Sequence, residues 1–184
     1  MIKPMRVCNR GWLFVFSTTI IAIMLTGIVQ AKNNNMHFEG TLVAEPCELD
    51  PNTTDITLDF GTVIDKSLYL NSRTDSQPFI INLLECDTTL SNSAIFTFRG
   101  VESSELPGLL ALTKGAASGI AIGMELRNGT QLPFNKSTPG LHLTDGATAI
   151  TMKSYVEAEP SAIQNHSIGR GGFTAVATFE IEYP

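Results

Sequence analysis

Between residue 55 and the end of the chain, the sequence falls into seven short runs rich in β-forming residues, and none keeps a 3.6-residue period. They are DITLDFG (55–61), PFIINLLEC (78–86), AIFTFRG (94–100), GLLALT (108–113), GIAIGMELR (119–127), ATAITMKSYVEA (147–158) and FTAVATFEIEY (173–183). Turn formers punctuate them: Asp50-Pro51-Asn52, Leu106-Pro107-Gly108, Asn128-Gly129, Pro139-Gly140, Asp145-Gly146 and the glycine-rich stretch 169–172. Many short strands at this spacing indicate an all-β sandwich. Asn-Gly supplies the positive φ angles of a tight hairpin, so the strand over 119–127 is expected to turn straight back into Gln131–Phe134.

The 184-residue chain opens with Lys3, Arg6 and Arg10 ahead of an apolar run from Trp12 to Val29, closed by Val29-Gln30-Ala31. This is the layout of a secretory signal peptide over residues 1–31. An uncleaved membrane anchor is the rival reading, because the run approaches the length a bilayer requires. Ser17, Thr18 and Thr19 within it and the small-residue ending favour cleavage. Cleavage after Ala31 removes three positive charges and no negative one, taking the formal charge from -6 to -9 over 153 remaining residues. The acidic balance, with no run of Lys or Arg after residue 31, argues against nucleic acid as a partner.

Of three cysteines, Cys8 lies in the leader, while Cys47 and Cys86 remain. An even pair in an exported chain reads as a disulfide. His37, His142 and His166 are scattered and no Cys-x-x-Cys or His-x-x-x-His spacing occurs, so no metal or other cofactor is expected. Catalytic motifs are also missing: there is no Gly-x-Ser-x-Gly elbow and no His-Glu-x-x-His pair. Glu180 and Glu182 share one strand face at a spacing open to acid and base roles, but the same pattern describes a solvated outer face, which is the commoner fate of charged residues. The chain reads as a non-enzyme.

Both ends of the exported part alternate. At the front, Asn34, Met36, Phe38, Gly40 and Leu42 lie opposite Asn35, His37, Glu39 and Thr41. At the back, Phe173, Ala175, Ala177, Phe179, Ile181 and Tyr183 lie opposite Thr174, Val176, Thr178, Glu180 and Glu182. Each reads as a strand with one dry side. Periodicity alone favours the two ends pairing with each other inside one sandwich.

Taken in order, MHFEGTLVAEPCEL, FIINLLECD, GIAIGMELRNGTQL, SYVEA and the terminal ATFEIEY resemble subunits of chaperone-usher fimbriae across essentially the whole exported chain. The likeness is to minor and adaptor subunits of type 1 and P pili. It implies an immunoglobulin-like sandwich lacking its last strand, with a donor-strand extension over residues 32–46 and a pilin domain over 47–184. The vacancy is a groove beside residues 173–183, filled first by a periplasmic pilus chaperone and later, after passage through an outer-membrane usher, by a neighbouring fimbrial subunit's extension. By the same resemblance Asn34, Met36, Phe38, Gly40 and Leu42 are donated to a neighbour's groove. Gly171 matches a glycine of the family's C-terminal motif and Tyr183 its penultimate aromatic residue, whereas Pro184 departs from the usual polar ending. The implied protein is a structural subunit exported via the periplasm to a surface fimbrium and supporting adhesion, in a minor or adaptor position. The alternatives are a major rod subunit or a single-domain adhesin.

Overall fold

The computed structural model describes residues 36–42 and 44–184; the expected leader, its rival reading as an anchor, and Asn34 lie outside them. Residues 44–184 belong to one body, and residues 36–42 are taken by themselves.

Alternation of apolar and polar residues builds the body. Strands β1 (Glu48–Leu49), β2 (Gln77–Cys86), β5 (Ile120–Leu126) and β7 (Gly146–Ala158) make an antiparallel sheet in the order β1-β2-β7-β5. Strands β3 (Ser93–Arg99), β6 (Leu141–His142) and β9 (Thr178–Glu182) make a second sheet in the order β6-β3-β9. A short ribbon joins β4 (Lys114–Gly115) to β8 (Phe173–Thr174). Because successive side chains point to opposite faces, β2 sends Ile81 and Leu83 inward, β7 sends Ile150, Met152 and Val156, and β3 sends Ala94, Phe96 and Phe98. These residues form a single apolar core with Ile122, Met124 and Phe134. The result is a mostly β, immunoglobulin-like sandwich, as the sequence leads one to expect.

Cys47 and Cys86 are bonded, fastening the start of β1 to the end of β2 across 39 positions. On the chain-entropy account a loop of this length stabilises the fold by about 4 kcal/mol.

The outer face of β5 is also covered. Arg73 stacks its guanidinium 3.5 Å from the centre of the Tyr155 ring. The same group donates to Glu125 at 3.0 Å, and Ser76 Oγ donates to Glu125 at 2.7 Å. Burial pushes the Glu125 carboxyl up, but the Ser76 hydroxyl and the Arg73 guanidinium together outweigh it and hold it below its ordinary value.

Several local expectations are corrected. The run 55–61 forms no ladder, and 108–113 makes only single bridges through Leu110 to Glu102 and Ile122. The run 173–183 is split into β8 and β9 by residues 175–177. The hairpin after β5 has a three-residue loop: Gly129 N–H donates to Leu126 O at 2.9 Å and Leu126 N–H to Thr130 O at 2.8 Å. Gly129 alone takes the positive φ, at +87°, so one left-handed residue suffices where the Asn-Gly reading needed two. Two short helices were not foreseen, α1 (Asp65–Asn71) and α2 (Pro160–Gln164), each too short to print a helical period.

Candidate functional site

Of the residues expected along a groove at the C-terminus, Gly171, Phe173, Ala175, Ala177 and Phe179 line an open cleft of about 990 Å³, whereas Ile181 and Tyr183 are not part of its lining. One wall is the stretch 54–63 and the other is 171–179; Phe79, Phe98, Leu110, Ile122, Met124 and Phe134 are among the residues beneath. The floor is the sandwich core itself, since Phe98, Leu110, Ile122, Met124 and Phe134 are all buried.

Each wall has the pattern of a strand without the bonds of one. On the first, Ile56, Leu58 and Phe60 are half-buried while Asp55, Thr57 and Asp59 are exposed, the period-two pattern of a pleated chain. Yet among the described residues no backbone–backbone hydrogen bond involves residues 54–63. Gly61 N–H donates to the Asp59 carboxylate at 2.8 Å.

On the second wall, Phe173, Ala175, Phe179, Ile181 and Tyr183 are half-buried and Ala177 is exposed, while Thr174, Val176, Thr178, Glu180 and Glu182 are all exposed. β9 pairs with β3 on one side, setting Phe179 opposite Phe98 and Ile181 opposite Phe96. Among the described residues its other side is a sheet edge. Residues 175–177 carry, among the described residues, a single bond from the main chain, Val176 N–H to Thr113 Oγ1 at 3.3 Å. An apolar cleft flanked by unpaired backbone is a template for strand addition.

Gly171 stands where the second wall begins, and the reason is local. Its φ is +146°, and a Cβ there would sit 2.6 Å from the Ala116 Cβ. Tyr183 packs on the edge of the core, and burial, with the charge of Glu45 adding to it, raises its phenol above the ordinary value. The Pro184 main-chain oxygen accepts the Ser91 hydroxyl at 3.0 Å, so the last residue is held against the body. Glu180 is engaged by Arg99, whose guanidinium holds its carboxyl low, and both Glu180 and Glu182 face solvent.

At the front, Met36, Phe38 and Leu42 are 79%, 82% and 100% exposed, and Gly40 has open space around its Cα. These residues hold no regular secondary structure. His37 Nε2 and Glu39 Oε1 lie 2.6 Å apart, as expected for positions two apart on one side of an extended chain. Sequence reasoning passed over the wall at 54–63 as a site, although its Ile56, Leu58 and Phe60 alternation was the available signal.

Comparison with known proteins gives the geometry a setting. A family model described as Fimbrial protein matches residues 36–184. The chain is 30% identical over 166 residues to the uncharacterized fimbrial-like protein YfcP of Escherichia coli K12, covering 89% of this chain and 90% of that protein. It is 29% identical over 161 residues to the fimbrial adapter PapK of Escherichia coli, covering 84% and 90% respectively. Among solved structures, the P pilus rod subunit PapA superposes with a TM-score of 0.66 at 21% identity, over 76% of this chain and all of that one.

Proposed function

The chain belongs to the fimbrial protein family, and from that membership we propose that its cleft receives an extended strand donated by another protein. It is a structural subunit of a surface pilus of the chaperone-usher type, as its relatives and structural neighbours indicate. The observation that carries the proposal is the pair of walls, 54–63 and 175–177, whose backbone groups have no ladder partners among the described residues on either side of an apolar cleft. An inserted strand would supply those hydrogen bonds and cover the floor in one step.

The donor in the assembled fibre is a neighbouring subunit's N-terminal extension, and a periplasmic chaperone occupies the cleft beforehand, with the usher directing the exchange. This chain contributes its own extension in turn through Met36, Phe38, Gly40 and Leu42. Burying Met36, Phe38 and Leu42 in a neighbour's cleft contributes about 1.5 to 3 kcal/mol each before ordering costs. Gly40 lets the donated backbone pass close to a shallow part of the receiving cleft.

Reception and donation are separable by deletion. A chain lacking residues 32–42 is expected to bind chaperone and accept a strand normally, yet to leave the next subunit's cleft unfilled. Normal incorporation of that shortened chain on both sides would overturn the assignment.

A further inference from the structure

The first wall of the cleft is a strap hung between two polar anchors. At its start, Asp50 N–H donates to Asn82 O at 3.0 Å, and Asn82 N–H donates to Thr53 Oγ1 at 3.2 Å. At its end the chain enters α1, where Asp65 and Tyr69 stand one turn apart on the same helix face. Those two side chains meet an extended run on the far side of the cleft. Arg170 Nε donates to Asp65 Oδ2 at 2.8 Å, and the Ile168 N–H donates to Tyr69 Oη at 3.1 Å. The Tyr69 ring also lies 5.2 Å from the His166 ring.

The far run is itself fixed, because Ser118 and Gly169 exchange backbone hydrogen bonds at 3.1 and 3.0 Å and Ser167 N–H reaches Ala162 O at 2.9 Å. Among the described residues the strap has no such ladder between its anchors. Beside the two ties lies a hollow of about 180 Å³ lined by Val63, Leu68, Ile120, Ile168 and Phe173, of which Val63 and Phe173 also line the main cleft.

We propose that the Asp65–Arg170 ion pair and the Tyr69–Ile168 hydrogen bond form a clasp that fixes the spacing of the two walls, so that an incoming strand meets both at once. Asp65 and Arg170 are positioning residues: they act through the strap rather than on the strand. The proposal rests on the strand-receiving reading of the cleft. Asp65 is 25% exposed and Arg170 83%, so solvent screens the pair and its effect is modest.

The test uses the full chain held by its chaperone, with a synthetic peptide of residues 32–46 as the incoming strand and chaperone release timed by native electrophoresis. Arg170→Ala and Asp65→Asn each slow release by about 1.5- to 5-fold. Raising salt to about 1 M slows the unsubstituted chain towards the variants and leaves the variants' relative rates unchanged. Combining Asp65→Arg with Arg170→Asp restores the original rate, which two unconnected single-site effects would not produce, while the melting temperature of each single variant stays close to the original. Tyr69→Phe, which keeps the ring, speeds amide exchange at Ile168. Variant rates equal to the unsubstituted rate would overturn the clasp alone; failure of the unsubstituted chain to exchange with this peptide and with the extension peptide of every other subunit of the same fibre would overturn both the clasp and the strand-receiving cleft.

Discussion

Phe60 and Phe173 face one another across the cleft with ring centroids 6.3 Å apart and planes tilted by 34°. One ring comes from each wall, so the walls touch through side chains while their backbones stay apart. Between Phe173 and Phe179 the second wall carries only Ala175 and Ala177 on its inward side, which leaves room for the large side chains of an occupant.

Filling that room should block the occupant. Ala177→Trp is expected to reduce uptake of a peptide spanning residues 32–46 by at least about tenfold, equivalent to roughly 1.4 kcal/mol. Thermal stability of the chain should stay close to the original value, since Ala177 is exposed and outside the core. Uptake measured by fluorescence anisotropy at the original affinity would show that the occupant lies elsewhere.

Gly171 is needed by the backbone rather than by an occupant. At φ +146°, with Ala116 Cβ only 2.6 Å from where a Cβ would stand, Gly171→Ala is expected to cost about 1 to 3 kcal/mol of stability. Chemical denaturation checks this, and an unchanged midpoint would contradict it.

Stability should fall off at both ends of the pH scale. Asp145 is held low by the hydroxyl and N–H of Thr88, Asp50 by the Asn52 N–H, and Glu102 by the Asn135 amide and Gly108 N–H. A carboxyl whose folded pKa is depressed stabilises the fold above its unfolded value of about 4, and that stabilisation is lost as pH falls through the folded value. Tyr155 and Tyr183 are raised, chiefly by burial, so their contribution is present below about pH 10 and lost as pH rises past it. Melting temperature should therefore be flat near neutrality, dropping on the acid side below about pH 4 and on the alkaline side above about pH 10.

Glu125 belongs to the scaffold and not to the cleft. Glu125→Ala leaves Arg73 and Ser76 without their shared acceptor on a covered face, at a cost of about 1 to 3 kcal/mol. Strand uptake at saturating peptide should be unaffected. A variant that melts normally would assign the cluster no role in stability.

The elements legible in the sequence are those that find partners within the chain. The expected runs 78–86, 94–100, 119–127 and 147–158 appear as β2, β3, β5 and β7 with ends shifted by at most one residue, because each pairs with a strand of the same molecule. The run 55–61 carries the same alternation but no ladder, since periodicity records which face is dry and not whether a neighbour is present. Residues 175–177 break the terminal strand where β8 leaves for β4 and β9 joins β3, a change of partner that alternation alone does not show. The dry face of Phe173 to Tyr183 was readable; the opposing wall at Ile56, Leu58 and Phe60 was not recognised as a wall, because a cleft is a relation between segments distant in sequence.

The account stands on the strap's backbone acquiring partners from an inserted strand. Hydrogen exchange of amides 55–63 in the full chain, read with and without the peptide of residues 32–46, tests this directly. The account predicts fast exchange without peptide and slowing by about 100-fold or more when it is bound, as an opening free energy of roughly 2.7 kcal/mol would give. Exchange that stays fast with peptide bound, or that is already slow without it, would contradict the account.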